Sequence, residues 1–334
     1  MDLLSDVLRS IRLSGAVLFR GEFSAPWAVA APPARTVAAL LHPDAAHLVL
    51  FHVVAEGSAW AKTAQGDHTD IAAGDIVVLC GGDAHVLGSG APERTAQIGE
   101  ILPPRPWPEP PRLHYGGGGE RTAIVCGFLH CDEIVFHPLL RTLPRLLRVR
   151  MGTSAEWVEA NLRYPLEEAG AGRPGSSSLL ARAAELLFVD VLRRHLADGP
   201  AEERGWLAAL RDPAVATALE LLHGDPAAAW SVGLLARGVG TSRTVLSERF
   251  RLHLGQPPMQ YLTRWRIQLA ARMLSDQEES IAAVAERVGY ESERAFHRAF
   301  KRHAGVTPAA WRKGRRCGTG ATGVPASGRS PLRA

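Results

Sequence analysis

The sequence predicts a multidomain β + α protein: an N-terminal β-barrel, a helical connector, and a C-terminal all-α unit. Three observations carry this. Short apolar runs broken by glycine-containing turns fill roughly the first 130 residues. From about residue 137 the apolar spacing becomes helical. Residues 231–261 then recur about fifty positions later, as a duplicated supersecondary motif does.

The chain has 334 residues, of which 46% are hydrophobic, a globular composition with room for two or three domains. No apolar run approaches the length of a membrane span, so no membrane association is expected. Asp2 and Asp6 stand where a secretion signal needs basic residues, which points to the cytoplasm. The spacing of Cys80, Cys126, Cys131 and Cys317 is not that of a disulfide framework. Net charge is +4 overall but uneven. Residues 212–334 hold 18 Lys/Arg against 10 Asp/Glu, whereas residues 1–211 hold 20 against 24. A basic final third behind an acidic remainder suits a polyanion-binding module, although basic faces are often only solvated.

In chain order, 47–54, 76–80 and 124–129 read as buried strands, and a further strand starts at 84–87. Residues 103–111 form a proline-rich connection and 116–119 a flexible one. Thr153 and Glu156 have capping-box spacing ahead of a helix reaching about Ala169. A long helix over 179–196 carries a wide apolar face, suited to burial against the β domain or against a second copy. The polar joint 200–212 marks a boundary. The expected divisions are a barrel over 1–135, a dimerisation or connector segment over 136–211, the all-α unit over 212–313, and a disordered tail over 314–334.

The repeat is specific. Ala236, Val239 and Gly240 match Ala285, Val288 and Gly289 at an offset of 49. Ser242, Leu246, Phe250, His253, Gly255, Pro258 and Tyr261 match Ser292, Phe296, Phe300, His303, Gly305, Pro308 and Trp311 at an offset of 50. In each unit a short helix ends at a glycine, and a serine caps the next helix. The first unit is expected to bury Leu234, Leu235, Val239, Val245, Leu246 and Phe250. The second buries Ala295, Phe296, Ala299 and Phe300. Two helices on a tight turn, the second with a polar and basic outward face, form a helix-turn-helix. A helix from Pro257-Pro258 to about Leu274 joins the units and can hold them apart.

Residues 213–313 resemble the DNA-binding domain of AraC/XylS-type transcription regulators, most closely in the stretch 281–292 followed by Phe296, Phe300, Lys301, Gly305, Val306, Thr307 and Pro308. The resemblance implies a double helix-turn-helix reading adjacent major grooves of double-stranded DNA. It implies RNA polymerase as a further partner and activation as the mode, though these residues alone do not separate activator from repressor. The family's base-contacting positions fall on Thr244, Ser247, Glu248, Glu293, Arg294, His297 and Arg298. Arg243, Arg251 and Lys301 flank them. Glu248 departs from the basic residue many members carry, and its carboxylate accepts from a cytosine amine or pairs with a neighbouring arginine.

The segments 4–8, 15–17, 24–27, 52–57, Gly74-Asp75, His85, 138–140 and 143–144 resemble cupin-type sensor domains of one branch of this family. This implies a jelly-roll β-barrel followed by helices, and control by a small ligand or by a redox or metal signal. His52, Glu56 and His85 are a remnant of a cupin metal set, and no metal is assigned. Cys126, His130, Cys131 and His137 form a second cluster that suits soft-metal or oxidant sensing, or is simply structural. No cofactor is required, and no nucleophile–base or paired-carboxylate spacing suggests an enzyme. The alternative for the first half is a homodimerisation module without a ligand.

Overall fold

The computed structural model describes residues 2–9, 13–36, 47–104, 107, 109–131, 139–140, 142–150, 155–199, 204–276 and 279–318. The expected cap Thr153, the histidine His137, and tail residues 319–334 lie outside these.

Helix α1 (Leu3–Arg9) precedes eleven described strands: β1 (Leu13–Ser24), β2 (Trp27–Ala31), β3 (His47–Glu56), β4 (Ser58–Thr63), β5 (His68–Ala72), β6 (Asp75–Leu79), β7 (His85–Ser89), β8 (Ala96–Gln97), β9 (Arg112–Gly116), β10 (Arg121–Cys131) and β11 (Leu146–Arg150). A one-turn helix α2 (Ile98–Ile101) follows β8. The strands form two sheets, ordered β11-β6-β3-β10-β1-β9 and β5-β4-β7-β2-β8. Phe19, Val54, Val77 and Ile124 from the first sheet pack with Trp27, Val29, Ile71 and Leu87 from the second, so the sheets face each other across one apolar layer.

The other face of the six-stranded sheet is also covered. Val49, Phe51 and Val53 of β3 and Ile76 and Val78 of β6 join a core with Leu187, Phe188 and Val191. Burial on both faces is why β3 and β6 read as unbroken apolar runs rather than alternating ones. The helices on that outer face are α3 (Ala155–Gly170) and α4 (Ser176–Asp198). Helix α4 comes so close to β1 that a Cβ on Gly15 would sit 2.5 Å from the Ala184 Cβ. The wide apolar face of α4 is therefore occupied within the chain by the sheet.

The helical part comprises α5 (Trp206–Ala209), α6 (Pro213–Gly224), α7 (Val232–Gly238), α8 (Arg243–Leu254), α9 (Pro258–Asp276), α10 (Ile281–Arg287), α11 (Glu293–Ala304) and α12 (Pro308–Gly318). Backbone helix thus extends into the segment expected to be tail. Each half of the repeat is capped alike: the hydroxyls of Ser231, Ser242, Ser280 and Ser292 accept from the backbone N–H three residues on. Gly240 and Gly289 make the turns at φ of 67° and 85°, a backbone open to glycine at low cost. Two expectations fail. Leu234 and Val245 are 43% and 36% exposed. The seven-residue α7 offers one narrow inner face, taken by Leu235 and Ala236, while Val245 lies in the exposed first turn of α8.

The second repeat has its own core of Val284, Phe296, Phe300 and Trp311 around the C-terminal half of α9. The first repeat does not: Val215, Leu219, Leu246, Phe250 and Tyr261 are continuous with the core that covers the sheet. No described helix is long and apolar enough to cross a membrane.

Candidate nucleic-acid interface and sensor cavity

Helices α8 and α11 present the expected polar faces. Arg243, Thr244, Glu248 and Arg251 on α8, and Glu293, Arg294, Arg298 and Lys301 on α11, are exposed; Ser247 and His297 are half-buried. Spacings of three and four put Arg294, Arg298 and Lys301 on one stripe of α11, opposite buried Phe296 and Phe300. On α8 the same spacing aligns Arg243, Ser247 and Arg251. The Ser247 hydroxyl donates to the Arg243 carbonyl at 2.8 Å, which commits its hydrogen to its own helix. The Arg243 guanidinium lies beside Gly233 at the start of α7, about 3.0 Å from where a Cβ would be. His297 Nε2 is 3.4 Å from Glu293 Oε1, one turn back.

Sequence reasoning missed the residue that sets the two units against each other. Arg266, in the middle of α9, donates to the carbonyls of Pro226 (2.6 Å), Ala228 (2.8 Å) and Gly289 (3.0 Å). One guanidinium therefore binds the loop entering the first motif and the turn of the second. Its position among polar residues of the joining helix was visible, but its long-range partners were not. Asp212 was missed as well. It caps α6 through Ala214 and Val215 N–H, and pairs with Arg249 at 3.1 Å.

The joint between the two halves is a buried polar chain. The Trp206 backbone N–H donates to Thr142 Oγ1 at 2.9 Å, and its indole donates to the Tyr261 hydroxyl at 3.0 Å. The Tyr261 hydroxyl also shares a hydrogen bond with His223 Nε2 at 2.8 Å. Burial pushes the His223 pKa down to about 3. Unfolding restores it to about 6.5, so between pH 6.5 and 3 the unfolded chain binds the proton and the folded one does not. The contribution is intact above the unfolded value and is lost as pH falls. At pH 5 this residue alone is expected to cost about 2 kcal/mol of stability. Urea titrations at pH 7 and pH 5 check this: His223→Gln should lose about 2 kcal/mol less than wild type across that interval.

In the barrel, a cavity of about 120 Å³ opens between the two sheets. His52, His85 and Cys126 meet at its polar side. Cys126 and His52 are cross-strand partners on β10 and β3, and His85 arrives from the facing sheet. His85 Nδ1 donates to the Asp83 carbonyl at 3.1 Å, which leaves Nε2 to accept. His52 Nε2–H donates to it at 2.8 Å, and the Cys126 thiol donates to His52 Nδ1 at 2.9 Å. Burial lowers both histidine pKa values and raises the thiol's, so all three are neutral near pH 7.

The predicted sensing residues are thus regrouped. Glu56 is exposed at the far end of β3, four residues and about 13 Å along the strand from His52, so it leaves the set and Cys126 enters it. His130 lies an equal distance from Cys126 and packs beside Phe128, with ring centroids 6.4 Å apart. The Cys131 side chain lies outside the described residues. His52 spends its two nitrogens on opposite neighbours, so the three donors do not converge on one point. Among the described residues no group of three His, Cys, Asp or Glu is placed to hold a metal ion.

Comparison with known proteins places these parts. Residues 2–197 match a family model described as Cupin, and residues 235–314 match one described as a helix-turn-helix domain. A putative AraC-like transcription regulator of Streptomyces lividans is 37% identical over 81% of this chain and 88% of its own length. The HTH-type transcriptional regulator AlkR of Acinetobacter baylyi is 27% identical over 94% of this chain and 99% of its own length. Among solved structures, the DNA-binding domain of AdpA, in complex with a target DNA, is 31% identical, covers 33% of this chain and 98% of that one, and has a TM-score of 0.31.

Proposed function

This chain belongs to the AraC-type transcription regulators that carry an N-terminal cupin domain, and from that premise we propose how it divides its work. It regulates transcription through a DNA-binding helix-turn-helix domain. In our reading α8 and α11 each enter a major groove, one helical turn apart on the same face of the duplex. The single observation that carries this is the duplicated, identically capped motif with two exposed polar and basic helices held on one joining helix by Arg266. Arg294, Arg298 and Lys301 are assigned to the better discriminating helix, and Arg243 and Arg251 to phosphate contacts. Selection from randomised DNA by the full chain tests the reading. Two short conserved blocks about ten base pairs apart are expected, with affinity falling steeply as salt rises. A single block, or salt-independent binding, would sink it.

The cavity is assigned to a small effector that biases DNA binding from the barrel. Its three polar side chains satisfy one another, which supports binding rather than catalysis. Membership of the family supports RNA polymerase as a further partner and the cytoplasm as the compartment. A homodimer is supported by Leu179 and Leu186, which remain 39% and 48% exposed on the outer stripe of α4 while the inner stripe is covered by the sheet. Leu186→Asp is expected to raise the dimer dissociation constant at least tenfold in sedimentation without lowering the melting temperature. An unchanged dimer would rule out this stripe as the interface. Leu187 is no probe of it, because it is 2% exposed inside the fold.

A further inference from the structure

The first turn of α8 carries a different chemistry from its counterpart on α11. The repeat pairs Ser242 with Ser292 at an offset of 50, so Thr244 and Glu248 stand where α11 has Arg294 and Arg298. The stripe that is cationic on α11 therefore holds a hydroxyl, a methyl group and a carboxylate on α8. Val245 adds two more methyl groups beside Thr244. It is 36% exposed, whereas Leu246 and Phe250 are fully buried and take the inner face of the helix. Thr244 is exposed as well. Hydrogen-bond donors are scarce on this turn. The Ser247 hydrogen is committed to the Arg243 carbonyl, and a carboxylate such as Glu248 only accepts. The Arg243 guanidinium lies back beside Gly233 at the start of α7. A guanine edge, with its O6 and N7 acceptors, finds no bidentate donor among Thr244, Val245, Ser247 and Glu248. A thymine edge presents a methyl group, which aliphatic carbons suit.

We infer that Thr244 and Val245 recognise the 5-methyl groups of thymines in the major groove, so that the operator block under α8 is specified by thymine rather than by guanine. The inference rests on α8 entering the groove, and deepens that reading by naming the base. Consecutive residues of a helix point about 100° apart, so the two side chains meet different bases and specify one or two thymine positions. Burial of one methyl group is worth about fourfold in affinity. That is less than an arginine gripping guanine through two hydrogen bonds supplies, so the sharper preference stays with α11.

Deoxyuridine in place of thymidine tests it, because the exchange removes the 5-methyl group and keeps the base pair. The full chain is titrated against its selected site with each thymine replaced in turn. Wild type is expected to bind about fourfold more weakly at one or two of these positions. Thr244→Ser deletes a single methyl group, and Val245→Ala deletes two. The double variant should bind the thymine and uracil forms of those positions equally. Wild-type base preferences retained elsewhere in the site show that it is folded, as expected for two exposed side chains. Wild-type affinity indifferent to every uracil, a selected site without thymine, or a double variant that keeps the full uracil penalty overturns the inference. A selected site with only one block counts against two grooves being read, and the uracil scan of that block still decides whether Thr244 and Val245 recognise methyl groups.

Discussion

Replacing Trp206 by alanine is expected to destabilise the protein by about 3–5 kcal/mol, the range for deleting a fully buried indole. Trp206 is 0% exposed and belongs to the core shared by the sheet-covering helices and the first DNA-binding motif. Its loss removes apolar contact on both sides of the joint. It also takes away the donor to Tyr261, though the Tyr261 hydroxyl keeps its hydrogen bond with His223. Trp206→Phe isolates the second effect and is expected to cost about 1–2 kcal/mol, one buried hydrogen bond plus a small void. The shared core further implies that wild-type barrel and first motif unfold together, and that Trp206→Ala separates them into two urea transitions. The second motif, with its own core, should be the least affected. A variant that loses under 1 kcal/mol and keeps one sharp transition would show that the joint is not a structural link. The same packing argues that the DNA-binding unit begins near residue 205, ahead of α5, rather than at 212.

What could be read from the sequence divides along a physical line. Ser242, Ser292, Gly240 and Gly289 act within four residues of themselves, so their roles as caps and turns followed from spacing alone. The exposed stripe on α11 followed from periodicity. Contacts set by strand register did not. Cys126 faces His52 because β10 and β3 pair in one register, and a slip by one residue would point the thiol to the opposite face of the sheet. His85 reaches the pair only because the two sheets face each other. Arg266 and Trp206 bind partners 23 to 64 positions away, beyond any local pattern. The apolar width of α4 was legible, but not which surface covers it; the sheet does.

Arg298→Ala is expected to relax base preference at one or two positions of the operator, whereas Arg251→Ala weakens every sequence about equally. The difference follows from placement. Arg298 stands in the middle of α11, exposed, on the stripe opposite buried Phe296 and Phe300, where a side chain directed into the groove meets base edges. A guanidinium there can hold guanine through two hydrogen bonds, worth roughly 1–3 kcal/mol of discrimination, or about five- to 150-fold. Arg251 stands in the last turn of α8, near the end of the helix, where the duplex backbone rather than the groove floor comes within reach. A phosphate contact carries no sequence information, so its loss lowers affinity uniformly and reduces the salt slope by about one. Serine and threonine on α8 offer single adaptable hydroxyls, and Ser247 has already committed its hydrogen to the Arg243 carbonyl. The second motif should therefore impose the sharper preference, and the block of operator under α8 should tolerate more variation. Selection from randomised DNA with wild type and both variants decides the matter. If the Arg298→Ala profile keeps every wild-type preference and only overall affinity drops, Arg298 binds phosphate, and base readout by α11 rests on Arg294 and His297 instead.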